Sequence, residues 1–141
     1  MPHLVLLYTK NLDAETDMTA LCRALADTML AARDEAGKPV FPPGGTRVLA
    51  YPAAHSAVAD GTTPDGRDYA FVYLHLRMAR GRSAAVQRQV GEALVATARA
   101  HFGSRFDDRA LGLTLQIDEG HEVFDAKLSS IHPLFAGLVG R

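Results

Sequence analysis

Apolar positions along this chain fall into two patterns, short continuous runs and helical repeats, and they alternate. Leu4 to Tyr8 is an apolar run of strand length, and Asn11 to Asp17 follows it with capping and acidic residues suited to a helix start. Met18, Leu21, Cys22, Leu25, Met29 and Ala32 then recur at helical spacing, which predicts a helix ending near Gly37. Val40 to Gly45 holds two prolines and two glycines and reads as a loop. Arg47 to Tyr51 reads as the next strand, stopped by Pro52. Strand, crossover helix and strand make a β-α-β unit, whose crossover favours parallel pairing.

The pattern then repeats. After a polar loop over Ala59 to Arg67, Tyr69 to Met78 predicts a long strand. Ser83 to His101 carries Val86, Val90, Leu94 and Ala98 at helical spacing before Gly103, and Leu111 to Ile117 predicts a last strand. At an offset of about 70 residues Leu4 meets Leu74, Leu6 meets Leu76 and Asp13 meets Ser83, a weak but ordered internal similarity. In the third strand Ala70, Val72, Leu74, Leu76 and Met78 share one face, and Phe71, Tyr73, His75 and Arg77 share the other. The first face suits packing under helices. The second is too aromatic to be simply solvated and too polar for a dry core, which suggests cover by another subunit.

Composition narrows the class. With 141 residues, 48% of them apolar, the expectation is a single domain over 1–141, with halves at about 1–58 and 68–120 and a C-terminal segment at 121–141. The formal net charge of -1 argues against a nucleic-acid surface, so any anion site is local. The lone Cys22 excludes an intrachain disulfide and reads as a buried thiol. No apolar run approaches a membrane span, and the start of the chain lacks the features of a signal peptide. The expectation is a soluble cytoplasmic protein with no membrane partner. Its six histidines show no metal-binding spacing, so no metal is expected. Gly44-Gly45 lacks the Lys-Ser/Thr of a phosphate loop and is assigned to turn geometry alone.

Three residues carry candidate chemistry. Removal of Met1 would leave Pro2 with a secondary amine at the start of a strand, and such a nitrogen is a base. Arg82 stands in Arg77-Met78-Ala79-Arg80-Gly81-Arg82-Ser83, where Gly81 permits a tight turn and Ser83 can cap the second helix. A guanidinium beside a helix N-terminus favours a carboxylate or phosphate. Arg47 enters its strand from the rigid Phe41-Pro42-Pro43-Gly44-Gly45 loop. For each arginine a solvated surface role is the alternative, and Tyr69 and Phe71 read as packing residues first and pocket residues second.

These residues match a family. Pro2-His3 before an apolar strand, Phe41-Pro42 through Gly45-Thr46-Arg47-Val48, Ala59-Asp60-Gly61, Asp68-Tyr69-Ala70-Phe71-Val72, and Gly81-Arg82-Ser83 with Gln87 and Gly91-Glu92 resemble the 5-carboxymethyl-2-hydroxymuconate isomerases of the tautomerase superfamily. Leu113 to Glu119 resembles that family's last strand and His132 to Phe135 its C-terminal segment, so the resemblance covers nearly the whole chain. It implies an α+β fold: two fused β-α-β units forming a four-stranded mixed sheet with two helices on one face, assembled as a homotrimer. It also implies an isomerase of aromatic-compound degradation acting on a small carboxylate substrate without a cofactor, with Pro2 as general acid/base and Arg47 and Arg82 binding carboxylates. The first half has Leu12 where the second has Arg82, so one composite site per chain is expected. The loop over Thr62 to Arg67, the Asp34 to Val40 connection and the tail from Ala136 to Arg141 depart from the family pattern. Other superfamily activities (phenylpyruvate-type tautomerisation, hydration, decarboxylation) and a non-catalytic trimeric anion-binding protein stay open as alternatives.

Overall fold

The computed structural model describes residues 2–137; Met1, whose removal the reading of Pro2 requires, and residues 138–141 of the tail lie outside the described residues. The first unit comprises β1 (His3–Thr9), a 3-10 turn (Lys10–Ala14), α1 (Met18–Ala31) and β2 (Arg47–Ala53). The second comprises β3 (Ala70–Met78), α2 (Ala84–Phe102), the short α3 (Arg105–Asp108) and β4 (Leu111–Glu119). Each unit pairs its own two strands in parallel, as a crossover helix dictates. The units join through β1 and β3, which run antiparallel, so one four-stranded mixed sheet results with the order β2-β1-β3-β4.

Period-two alternation decides what each strand buries. Leu4 and Leu6 of β1 and Val72, Leu74 and Leu76 of β3 are fully buried in one cluster with Leu21, Leu25 and Met29 of α1 and Val90, Leu94 and Ala98 of α2. Both helices therefore cover the same face of the sheet. Asp17 caps α1 by accepting from the Ala20 amide at 3.0 Å, and Ser83 caps α2 by accepting from the Val86 amide at 3.2 Å. On the other face Leu7, Leu49 and Tyr51 are each about half exposed, and Phe71, Tyr73 and His75 are partly covered.

Five expectations need correction. The first helix ends at Ala31, before Gly37, because the Asp34 carboxylate accepts from the amides of Ala36 and Lys38, both at 2.9 Å, and folds 33–39 into a closed turn. Pro52 does not stop β2, which runs to Ala53, because β2 is an edge strand where a missing amide proton breaks no ladder. The 70-residue offset aligns Asp13 with Ser83, yet the cap of α1 is Asp17. A 3-10 turn built on buried Leu12 intervenes, with the Tyr8 hydroxyl donating to Asp13 at 2.5 Å. Gly44 serves more than turn geometry: a Cβ there would stand 2.8 Å from the Cα of His132, so its bare backbone lets the 3-10 turn His132–Phe135 dock on the Pro43–Gly45 turn. Cys22 is half-buried rather than buried, and burial still pushes its thiol pKa above the ordinary value.

Far from the Pro2 end of the sheet, Arg109 locks the units together. It pairs with Glu15 of the first unit and Asp68 before β3, each at 2.9 Å, and is only 12% exposed. Nearby, the His101 ring nitrogen Nε2 lies 2.7 Å from the Thr16 hydroxyl oxygen, tying α2 to the approach to α1. Burial, then the Arg105 charge, pull His101 below its ordinary pKa of 6.5, with Asp17 opposing. The unfolded chain thus binds a proton there more readily than the folded one, and stability is lost as pH falls below the unfolded value. Urea midpoints measured from about pH 8 down to about pH 5 should fall, and the fall should be shallower in His101→Gln.

Candidate active site

The antiparallel register sets the geometry of one end of the sheet. His3, the first residue of β1, lies opposite Arg77 near the end of β3, and its parallel pairing with β2 places it opposite Arg47. Register partners share a face, so Arg47, His3 and Arg77 form a row across three neighbouring strands on the face away from the helices. Arg77 in turn lies opposite Asp118 of β4. A cavity of about 370 Å³ lies over this row and is closed by Glu122, Asp125 and Lys127 from the segment after β4. Glu122 stands 3.6 Å from the Arg77 guanidinium. One row further along, His75 pairs with Asp118 at 2.6 Å.

The row concentrates positive charge. Burial first, then Arg47 and Arg77, pull the His3 pKa below 6.5, while Asp125 works in the opposite direction. Burial and the flanking arginines thus disfavour the charged form of His3. Pro2 directly precedes it, and the alternation that buries Leu4 and Leu6 extends to Pro2, which is buried. Pro2 and His3 thus lie towards opposite faces at the same sheet end.

Arg82 is placed by the turn that leaves β3. Gly81 adopts φ +105°, a conformation open to glycine and strained for other residues, and this reverses the chain into α2. The Arg82 guanidinium then donates to the carbonyls of Ala79 at 3.1 Å and Val40 at 2.7 Å, and stands 5.9 Å from the Phe41 ring centroid. It bridges the segment leaving α1 to the segment entering α2. Ser83 adds a second bridge by donating to Glu35. A cavity of about 250 Å³ opens beside this bridge, lined by Asp34, Pro39, Val40, Arg80, Gly81 and Arg82.

Pro2, Arg47 and Arg82, the three residues singled out in the sequence, thus come to one end of the sheet, with Arg47 on the open face and Arg82 in the helix layer. The Arg47 and Arg82 cavities have different linings within the single chain. Sequence reasoning missed His3 and Arg77 as members of the charged row. The alternation within β3 placed Arg77 on the open face, and only the β1–β3 register, which no local pattern encodes, sets it against His3. Tyr69 and Phe71 lie at the other end of β3, where the Tyr69 hydroxyl donates to Asp60 at 2.9 Å, and they join neither cavity. Among the described residues no group of His, Cys, Asp or Glu side chains could hold a metal ion, and no helix is long and apolar enough to cross a membrane.

Known proteins with this architecture agree with one another. The family model described as 5-carboxymethyl-2-hydroxymuconate isomerase matches residues 2–135. The 5-carboxymethyl-2-hydroxymuconate Delta-isomerase of Escherichia coli is 30% identical over 135 residues, covering 96% of this chain and 99% of that protein. A crystal structure of a 5-carboxymethyl-2-hydroxymuconate delta-isomerase superposes with a TM-score of 0.90 at 56% identity, over 96% of this chain and 93% of the other. A 5-carboxymethyl-2-hydroxymuconate isomerase from Deinococcus radiodurans R1 superposes with a TM-score of 0.81 at 36% identity, over 95% and 93%. A fused 4-OT, at 14% identity and a TM-score of 0.56, shares the fold alone. The chain belongs to the 5-carboxymethyl-2-hydroxymuconate isomerase family.

Proposed function

We propose that this protein is a keto-enol isomerase of 2-hydroxymuconate-type di- or tricarboxylates, with Pro2 as general acid/base after Met1 removal and with Arg47 and Arg82 as carboxylate ligands. The observation that carries the proposal is the convergence of the start of β1, the start of β2 and the turn after β3 on one sheet end. An α-amine has an ordinary pKa of about 7.7 to 8.0, and burial or nearby cations lower it. Pro2 is buried, and the residue after it, His3, lies opposite Arg47 and Arg77 in the sheet, so both guanidinium groups belong to the same sheet end. A neutral amine there takes the proton of the 2-hydroxyl. Electrons shift along the conjugated chain as the oxygen becomes a carbonyl, and the ammonium returns the proton to a carbon further along. Substrate and product are isomers, so no water, oxidant or cofactor enters. The arginines orient the dienoate by its carboxylates and stabilise charge developing on oxygen.

The active assembly in this reading is a homotrimer. Leu7, Leu49 and Tyr51 present an apolar patch beside Val5, Tyr73 and His75 on the face that the helices leave open, and such a patch supports cover by further copies of the chain. It also supports a composite site, because Arg47 faces that same side.

Three outcomes are expected. Met-less protein should isomerise 5-carboxymethyl-2-hydroxymuconate in a spectroscopic assay, and selective acylation of its terminal amine should lower kcat by about 10²-fold or more; full rates in the blocked form would sink the Pro2 mechanism. Arg47→Ala and Arg82→Ala should each lower kcat/KM by about 10²-fold, with Lys at either position recovering part of the loss; near-normal kinetics in both would exclude them as carboxylate ligands. In sedimentation, wild type should run as a trimer and Leu49→Glu as a monomer, whereas Val95→Glu, on the helix side of the sheet in the groove between α2 and β4, should stay trimeric. A trimeric Leu49→Glu would place the interface elsewhere.

A further inference from the structure

We propose that Arg80 is a specificity-determining residue whose guanidinium takes a third carboxylate, carried on a side branch of the dienoate, and so separates tricarboxylates from dicarboxylates. The proposal rests on the isomerase reading above. It begins with where Arg80 sits. It lines the cavity of about 250 Å³ that Arg82 also lines, and only Gly81, at φ +105°, separates the two in sequence. One turn therefore contributes two arginines to the lining of one cavity, Arg82 half-buried and Arg80 exposed.

The contacts of Arg80 set it apart from its neighbours. Arg77 faces Glu122 at 3.6 Å, and Arg82 is held by the carbonyls of Val40 and Ala79. Arg80 instead has Nη2 at 3.1 Å from Nε2 of His121, a ring nitrogen that carries no negative charge. Among the described residues no carboxylate lies within ion-pair distance of it. Asp34 lines the same cavity, but its Oδ1 is engaged by the amides of Ala36 and Lys38, which hold it in the 33–39 turn. Arg80 is thus a cation matched by no acid among the described residues, two positions from Arg82, which is read as carboxylate-binding.

Substrate chemistry supplies the match. A 5-carboxymethyl-2-hydroxymuconate carries a carboxylate at each end of the conjugated chain and a third on a one-carbon branch. Arg47 and Arg82 account for two. The branch needs a ligand outward from the reacting atoms, and an exposed arginine two residues from Arg82 on the same tight turn can bind a carboxylate bidentately. A dicarboxylate lacking the branch leaves Arg80 with His121 alone.

The test compares two substrates and two inert ligands. With Met-less enzyme, kcat/KM is measured for 5-carboxymethyl-2-hydroxymuconate and for 2-hydroxymuconate in wild type, Arg80→Ala and Arg80→Lys. The wild type should prefer the tricarboxylate. Arg80→Ala should cut that preference about tenfold, mainly through KM, and Arg80→Lys should restore part of it. A preference that survives in Arg80→Ala overturns the proposal. Calorimetric binding of tricarballylate against glutarate reads the same contrast without turnover. Should wild type turn over neither dienoate yet bind tricarballylate more tightly, by a margin that Arg80→Ala erases, the isomerase reading falls and the role of Arg80 stands. Equal binding of the two ligands by wild type, or a margin that Arg80→Ala retains, overturns the proposal.

Discussion

The antiparallel seam between β1 and β3 is the constraint on which the rest of the molecule depends. Each β-α-β unit taken alone has a two-stranded parallel pair with one covered face and too little buried surface to stand on its own. Pairing Leu4 with Leu76 and Leu6 with Leu74 merges the two apolar faces into one, which α1 and α2 then cover together. The same pairing is what makes one end of the sheet chemically unusual. Antiparallel strands set the start of one beside the end of the other, so the first residues of the chain meet the turn that leaves β3. Had the units joined in parallel, Pro2 and Arg82 would lie at opposite ends of the sheet.

Charge at that end is arranged with the same economy. Three potentially cationic side chains in one cross-strand row repel one another, and the row is eased because its surroundings disfavour the charged form of His3 and because Glu122 and Asp125 close over it. In the helix layer Arg82 is fixed by two carbonyls and an aromatic face rather than by an acid. A carboxylate partner would neutralise it, whereas carbonyls and Phe41 orient it and leave its full charge. A pre-oriented cation of this kind suits the binding of a carboxylate substrate. The cost falls on the 33–41 connection, which must stay compact to present Val40 and Phe41, and the Asp34 turn keeps it so.

The open face carries a different load. Its apolar residues are those of a surface meant to be covered, yet its rows also carry Gln116, Asp118, Arg47 and Arg77, so apolar and polar demands meet on one sheet. A trimer in which these faces turn inward would remove Leu7, Leu49 and Tyr51 from water and bring the Arg47 side of one copy near another. Catalysis in the proposed reading would then require assembly as well as folding.

Much of this was legible in the linear chain because it rests on local periodicity. The 3.6-residue spacing of Val86, Val90, Leu94 and Ala98 and the alternation from Ala70 to Met78 were enough for α2, β3 and their inner faces, since burial on one side of an element leaves a period in its own residues. Pro2, Arg47 and Arg82 stand out in the sequence as candidate chemistry, with the turn glycine and the cap beside Arg82. What tertiary structure alone decided was adjacency. The helical spacing overruns the end of α1 because a side chain-to-backbone turn at Asp34 outcompetes the helix, and local sequence is silent on Gly44 because the demand for a bare backbone comes from His132, far along the chain. The row of Arg47, His3 and Arg77 and the unmatched charge of Arg80 depend on strand register and on which acids fold back over which cations. Those are contacts between residues distant in sequence, and no local period records them.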